Sequence, residues 1–216
     1  FREMDIPEPF LNLEIHASTH GDMTGQMLIG IEKALVKEKP DAVLVYGDTN
    51  STLAGALAAS KLQIKLIHVE AGLRSFNMSM PEEVNRILTD RISDLLCCPT
   101  DQSLLNLKAE GFDTFGSAVV KTGDVMQDAA MFYSERSAAH STILKSLSLE
   151  SFILCTLHRQ ENTDDPIRLK GIIDAINEIH KQIPVVLPIH PRTKKKLEAT
   201  GLVLACKTIE PVGYFD

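Results

Sequence analysis

An α/β fold is what this sequence predicts, in the form of two Rossmann-like parallel-sheet domains, both incomplete within its 216 residues. Its apolar runs are short and nearly continuous, the pattern of parallel strands covered by helices on both faces. Helical patterns separate these runs along the whole chain, which is the alternation of βαβ units. Acidic residues and histidines repeatedly fall directly after an apolar run, where open parallel sheets place their ligands.

Strands are predicted at 42–46 (AVLVY), 64–69 (IKLIHV), 94–98 (DLLCC), 118–122 (AVVKT), 152–157 (FILCTL), 184–189 (PVVLPI) and 202–206 (LVLAC). Each is rich in β-branched or apolar residues. Helices are predicted at 23–39, 52–62, 82–93, 101–110, 125–147, 167–181 and 193–199. The helix after Asp48, TLAGALAASKL, is rich in Ala and Gly, which permits close approach to a sheet. The stretch 125–147 is polar in its middle and reads as a helical connection, dividing the chain into domains at 1–141 and 142–216. Residues 1–21 hold no first strand and no Gly-rich phosphate loop, and only three strands precede EPVGYFD at the other end. Sheets of this type use more strands, so an internal fragment is expected.

Composition narrows the function. With 44% hydrophobic and 24% charged residues the chain is of ordinary globular make-up. A net charge of −7, with Lys194-Lys195-Lys196 as its one basic run, argues against a nucleic-acid or membrane-surface partner. There is no transmembrane-length apolar run and no signal-peptide pattern at Phe1. The four cysteines, Cys97, Cys98, Cys155 and Cys206, form no C-x-x-C pair and read as reduced thiols of a cytosolic protein. No metal site is expected, since neither H-E-x-x-H nor a Cys/His set occurs. GDTNST lacks the lysine of a P-loop, and no G-x-S-x-G elbow supplies an acyl-transfer serine.

The candidate site follows from the rim rule. Asp48 comes after the strand 42–46, with Gly47 allowing the turn. Glu70 directly follows 64–69, with Gly72 and Arg74 next. His158 and Arg159 follow 152–157, and His190 and Arg192 follow 184–189. Facing domains would bring these acids, imidazoles and cations together across one cleft. Other uses compete for each residue. Asp48 suits a turn or helix cap. Glu70, between LIHV and AGL, needs a partner such as Arg74 to offset burial. His68 reads as a hydrogen-bonded core histidine. In MPEEVNRILTDRIS, Pro81 suits a first helical turn, and Glu82, Asn85, Arg86 and Thr89 share one helical face. That face presents either an exposed Glu82–Arg86 pair or one more carboxylate and cation for the cleft.

VLVYGDTNSTLAGALAASKL, IHVEAGLRSFNMSMPEEVNRILTDRIS and TLHRQENTDDP together resemble the non-hydrolysing UDP-N-acetylglucosamine 2-epimerases, with PIHPRT and EPVGY as weaker matches. The resemblance spans essentially the whole chain. It implies a glycosyltransferase-B-like fold and matches Asp48, Glu70 and Glu82 to the family's catalytic carboxylates. By the same matching, Arg86 and His158 align with the family's active-site Arg and His, and His190 with a residue on the nucleotide side of the cleft. His158 is thus a catalytic candidate, and Arg86 and His190 join Arg74 and Arg159, taken from their rim positions, as substrate-binding candidates. It also implies a cytoplasmic homodimer that takes a UDP-sugar, requires no cofactor and supplies N-acetylmannosamine units for surface polysaccharides. Some members bind a second UDP-N-acetylglucosamine as an allosteric activator. The family's amino-terminal G-T-R-P-E loop and carboxy-terminal S-G-G-x-Q-E-E segment are both absent here, which implies that the chain alone lacks substrate-binding parts.

That resemblance carries a chemistry. No adjacent carbonyl acidifies C2–H of an N-acetylhexosamine, so the family eliminates UDP across C1–C2, reprotonates the 2-acetamidoglucal on its other face and re-adds UDP. Two faces of one carbon need two differently placed acid/base groups, with pKa values separated by burial and by cationic neighbours. Cations stabilise the departing diphosphate. Open alternatives are a different UDP-2-acetamido sugar such as a diacetamido-hexuronate, a hydrolysing variant, and a nucleotide-sugar-binding remnant without turnover.

Overall fold

In the computed structural model, which describes residues 4–158 and 160–216, the chain divides into two compact units, Pro7–Met131 and Phe132–Asp216 together with Phe1–Ile6.

The unit Pro7–Met131 holds a parallel sheet of order β1-β2-β3-β4: β1 (Ala42–Tyr46), β2 (Lys65–Val69), β3 (Leu95–Cys98) and β4 (Ala118–Lys121). Its helices are α1 (His20–Glu38), α2 (Asn50–Lys61), α3 (Pro81–Ile92) and α4 (Asp101–Ala109). Spatial order follows chain order, so right-handed crossovers all step in one direction and leave their helices on one face. On that face Val45, Ala56, Ala59 and Leu66 pack together, and Leu96, Cys98, Leu107 and Phe112 form a second cluster. On the other face Leu44, Tyr46 and Val120 are exposed. Among the described residues, then, the expected helical cover on both faces is present on one.

The other unit holds β5 (Ile153–Leu154), β6 (Val185–Pro188) and β7 (Lys207–Ile209), parallel and again in chain order. Here α8 (Pro166–His180) and α9 (Pro191–Thr200) supply Leu169, Ile173 and Leu197 to a core with Val185, Leu187 and Ile189. The remaining helices are α5 (Val125–His140), α6 (Ile143–Leu147) and α7 (Gln160–Thr163).

Two sequence expectations are corrected. The strand expected at 202–206 lies later, at β7. Leu202 and Leu204 do pack on the core, but the backbone around them is claimed by one side chain. Asn177 Nδ2 donates to the Val203 carbonyl at 2.9 Å, and Asn177 Oδ1 accepts from the Ala205 amide at 2.8 Å. The helix expected over 125–147 breaks after His140, where the Ser141 hydroxyl accepts from the Ile143 amide (3.3 Å) in place of a helical carbonyl.

Candidate functional site

The rim of the β1–β4 sheet is built on left-handed backbone. Gly47 has φ +66° and Glu70 has φ +73°. A side chain is strained at that φ, so Glu70 keeps it only because its surroundings fix the turn. Gly47 meets a second constraint, since a Cβ there would lie 3.3 Å from Glu70 Oε2. The two rim turns are therefore packed directly against each other.

Asp48 is not the cap of α2. Thr49 holds that position, and its amide reaches Thr52 Oγ1 at 3.2 Å. The Asp48 carboxylate is left to Arg86 of α3, whose Nη2 lies 2.5 Å from Asp48 Oδ2. Asn85, one residue earlier, donates from Nδ2 to the Asp48 carbonyl at 2.9 Å. Consecutive residues of α3 thus hold the backbone and the carboxylate of one aspartate.

Glu70 sits above the ordinary carboxylate range. Burial is the main cause, Asp124 and Asp48 add to it, and His68 and Arg86 oppose it. A carboxyl whose protonated form is favoured by burial, set beside a paired aspartate, is an arrangement capable of acid/base chemistry. Asp124 went unremarked in the sequence, yet its signal was present. TGD after β4 repeats the YGD that follows β1.

The two glutamates that open α3 part company. Glu82 is exposed on the first turn, open to a ligand. Glu83 is buried and structural: its carboxylate accepts from the amides of Ser75 (2.9 Å) and Phe76 (2.8 Å) and pairs with Arg86 Nη1 at 3.2 Å. Burial pushes Glu83 up, but the Ser75 and Phe76 bonds and Arg86 outweigh it and hold the carboxyl below its usual range. The helical ion pair is Glu83–Arg86, not Glu82–Arg86.

Arg74 was expected to offset Glu70. Its guanidinium points elsewhere, with a side chain 1% exposed. Nε and Nη2 donate to the two oxygens of Glu110 at 2.6 and 2.8 Å, and Nη1 donates to Asp90 Oδ2 at 2.7 Å and to the Leu73 carbonyl at 2.7 Å. These bonds engage it beneath the rim, away from solvent. His68 is the hydrogen-bonded core histidine expected, buried between Asp90 Oδ1 (2.7 Å from Nδ1) and the Gly47 carbonyl (2.7 Å from Nε2).

In the other unit, His158 and His190 line one cavity of about 380 Å³ whose wall is otherwise mostly apolar, with Leu154, Val186 and Ile209. His190 caps α9 by accepting the Arg192 amide at Nδ1, 3.2 Å away. Arg192 Nη2 reaches both oxygens of Asp164 at 3.1 and 3.2 Å. Arg159 lies outside the described residues. Among the described residues no group of three or more His, Cys, Asp or Glu side chains could hold a metal ion, and no disulfide forms. Burial pushes the Cys98 thiol up to about 11.

Comparison with known proteins identifies the family. The family model described as UDP-N-acetylglucosamine 2-epimerase matches residues 1–216. The chain is 56% identical to the UDP-2,3-diacetamido-2,3-dideoxy-D-glucuronate 2-epimerase of Pseudomonas aeruginosa, covering all of this chain and 60% of that protein. It is 46% identical to a UDP-N-acetylglucosamine 2-epimerase of Methanococcus maripaludis, covering all of this chain and 62% of that one. The crystal structure of Methanocaldococcus jannaschii UDP-GlcNAc 2-epimerase in complex with UDP-GlcNAc and UDP superposes with a TM-score of 0.86 at 45% identity, over all of this chain and 62% of that chain. The chain therefore spans about three fifths of the length of the curated relatives it matches. With parallel-sheet units of the glycosyltransferase-B-like class and matches running from its first residue to its last, this chain belongs to the UDP-N-acetylglucosamine 2-epimerase family.

Proposed function

We propose that the chain serves, within the whole protein, in the reversible C2 epimerisation of a UDP-2-acetamido sugar, UDP-GlcNAc to UDP-ManNAc. The observation that supports this best is the proton-prone Glu70 packed beside Asp48, itself paired with Arg86, at the ends of β1 and β2. A base removes the C2 proton while the C1–O bond to UDP breaks, and the freed electron pair becomes the C1=C2 bond of a 2-acetamidoglucal. An acid then delivers a proton to the opposite face of C2, and the UDP oxygen returns to C1. Asp48, Glu70 and Glu82 are the acid/base candidates. Arg86 and His158 are candidates for stabilising the charge on the departing diphosphate.

A second reading is UDP-2,3-diacetamido-2,3-dideoxy-D-glucuronate as substrate, favoured by the 56% identity to an epimerase of that name. We extend both readings to a cytoplasmic homodimer serving polysaccharide synthesis, with a second UDP-sugar as activator, as the family resemblance implies. No helix among the described residues is long and apolar enough to cross a membrane.

Incubating each UDP-sugar with the protein in deuterated water and following it by NMR tests the proposal. Deuterium at C2 with UDP still attached is the expected result, and the faster of the two substrates identifies the sugar. Release of free UDP with free sugar would indicate hydrolysis. Calorimetric binding without any exchange at C2 would show a binding module and overturn the proposal.

A further inference from the structure

Beneath the rim lies a buried polar assembly that the chemistry above does not use. Asp90, on α3, is 0% exposed and gathers three donors. His68 Nδ1 lies 2.7 Å from Oδ1, while the Gly72 amide (3.1 Å) and Arg74 Nη1 (2.7 Å) both reach Oδ2. His68, also 0% exposed, bridges onward to the Gly47 carbonyl. A carbonyl only accepts, so His68 Nε2 carries a proton and donates it there. The Nδ1···Oδ1 contact requires a second proton, shared between imidazole and carboxylate.

These contacts reach both rim turns. Gly47 immediately precedes Asp48. Glu70 stands between His68 and Gly72, whose carbonyl is held in turn by Asn106 Nδ2 at 2.9 Å. Asp90 is one helical turn beyond Arg86, the partner of Asp48. Polar groups this deep are costly unless every one is satisfied, and satisfied networks fix geometry.

We propose that His68 and Asp90 form a positioning pair for the reaction: through the Gly47 carbonyl and the Gly72 amide they hold Asp48 and Glu70 in register, and the ring stands as a counter-charge behind Glu70. This rests on the functional reading above. The groups that face Glu70 are Asp124 ahead of α5, Asp48 after β1, His68 on β2 and Arg86 on α3. Of these, His68 and Arg86 oppose the rise in its pKa. Neither His68 nor Asp90 touches the substrate in this scheme; both act through the rim turns.

The substitution His68→Gln separates the two roles. A glutamine amide keeps a donor within reach of the Gly47 carbonyl but removes the ring and its charge. Carboxyl-carbon NMR of the chain, read across pH with Glu70 assigned by comparison with Glu70→Gln, is expected to show the Glu70 midpoint moving upward by about one unit in His68→Gln. In the active protein the acid limb of the kcat profile should move up in step, while KM stays within about threefold. An unmoved Glu70 midpoint in a variant that melts with the wild type overturns the proposal. If His68→Gln does not fold, the wild-type chain still decides: a slowly exchanging Nε2 proton with a cross-peak to Gly47 is expected, and fast exchange at that site overturns the pair. A wild-type protein inert toward UDP-sugars would refute the functional reading alone, since the NMR measurements need no substrate.

Discussion

Arg86 Nη2 and Asp48 Oδ2, from residues 38 apart in sequence, meet at 2.5 Å, and Arg86 Nη1 lies 3.2 Å from Glu83 of its own helix. One guanidinium thus bridges a rim aspartate and a buried structural glutamate. Replacing it by Ala removes a counter-charge to both acids and to Glu70. Turnover of Arg86→Ala is expected to fall by roughly 10²-fold or more, and Arg86→Lys should recover only part, because a point charge cannot span both carboxylates. Steady-state kinetics on the two variants check this.

Glu70 carries opposite demands from activity and stability. Its pKa is raised on folding, so the native state holds this proton more tightly than the unfolded chain does. Stability from this group is present at low pH and is lost as pH rises from the ordinary carboxylate range through the raised midpoint. Glu70→Gln is therefore expected to raise Tm at pH 7 by roughly 2 °C, with no gain at pH 4, while turnover falls by at least ~10²-fold. Asp48→Asn and Glu82→Gln should lose turnover on the same scale. Calorimetric melts at the two pH values and one assay series measure both effects.

Glu83 behaves in the opposite sense. Its pKa is lowered on folding, so its contribution is present at neutral pH and is lost as pH falls through the carboxylate range. Glu83→Ala leaves the Ser75 and Phe76 amides without their acceptor and takes one of two carboxylate partners from Arg86, which keeps Asp48, a loss of about 3 kcal/mol. Urea titration should show that loss at pH 7 and a much smaller one at pH 3.

Gly72 has φ +76°, and a Cβ there would stand 2.5 Å from the Ser103 carbonyl oxygen of α4. Backbone cannot yield as a flexible side chain can, so Gly72→Ala should abolish soluble expression or cost over ~3 kcal/mol. Gly171→Ala, at a helical site with no atom within 4 Å of the added Cβ, is the matched control and should melt at or above the wild-type temperature.

Asn177→Ala should cost about 1–3 kcal/mol by orphaning the Val203 carbonyl and the Ala205 amide. Its effect belongs to the unit that carries α8 and leaves Asp48, Glu70 and Arg86 untouched. Thermal melts together with the Glu70 midpoint test that separation, the midpoint being expected to stay put.

Much of this was legible in the letters, and the failures have local causes. Six strands follow apolar runs because short runs of Val, Leu and Ile between helical patterns have few other uses. The run at 202–206 misled because apolar side chains report packing, whereas a strand needs free backbone groups, and Asn177 had taken them. The rim rule found Asp48 and Glu70 because parallel topology delivers strand ends to one edge. It reached His158 and His190 as well, which line one cavity. It could not separate Glu82 from Glu83, neighbours of equal chemistry whose fates depend on the phase of α3 and on a loop folding back to offer the Ser75 and Phe76 amides. Nor could spacing reveal Asp90, whose partners His68, Gly72 and Arg74 stand 16 to 22 residues away. Arg74, next to a rim turn in sequence, is drawn inward by Glu110, 36 residues on.

The bare face of the β1–β4 sheet has a practical outcome. Leu44 (46% exposed) and Tyr46 (61%) lie on β1, an edge strand whose outer hydrogen bonds are unspoken for within the sheet, and Val120 (42%) lies on the same face at the opposite edge, on β4. Protein handled as this 216-residue piece will be sticky: light scattering should climb with concentration and with ammonium sulfate, which strengthens apolar association. Placing a lysine at position 44 should keep such stocks clear without disturbing Val43 and Val45, which look the other way.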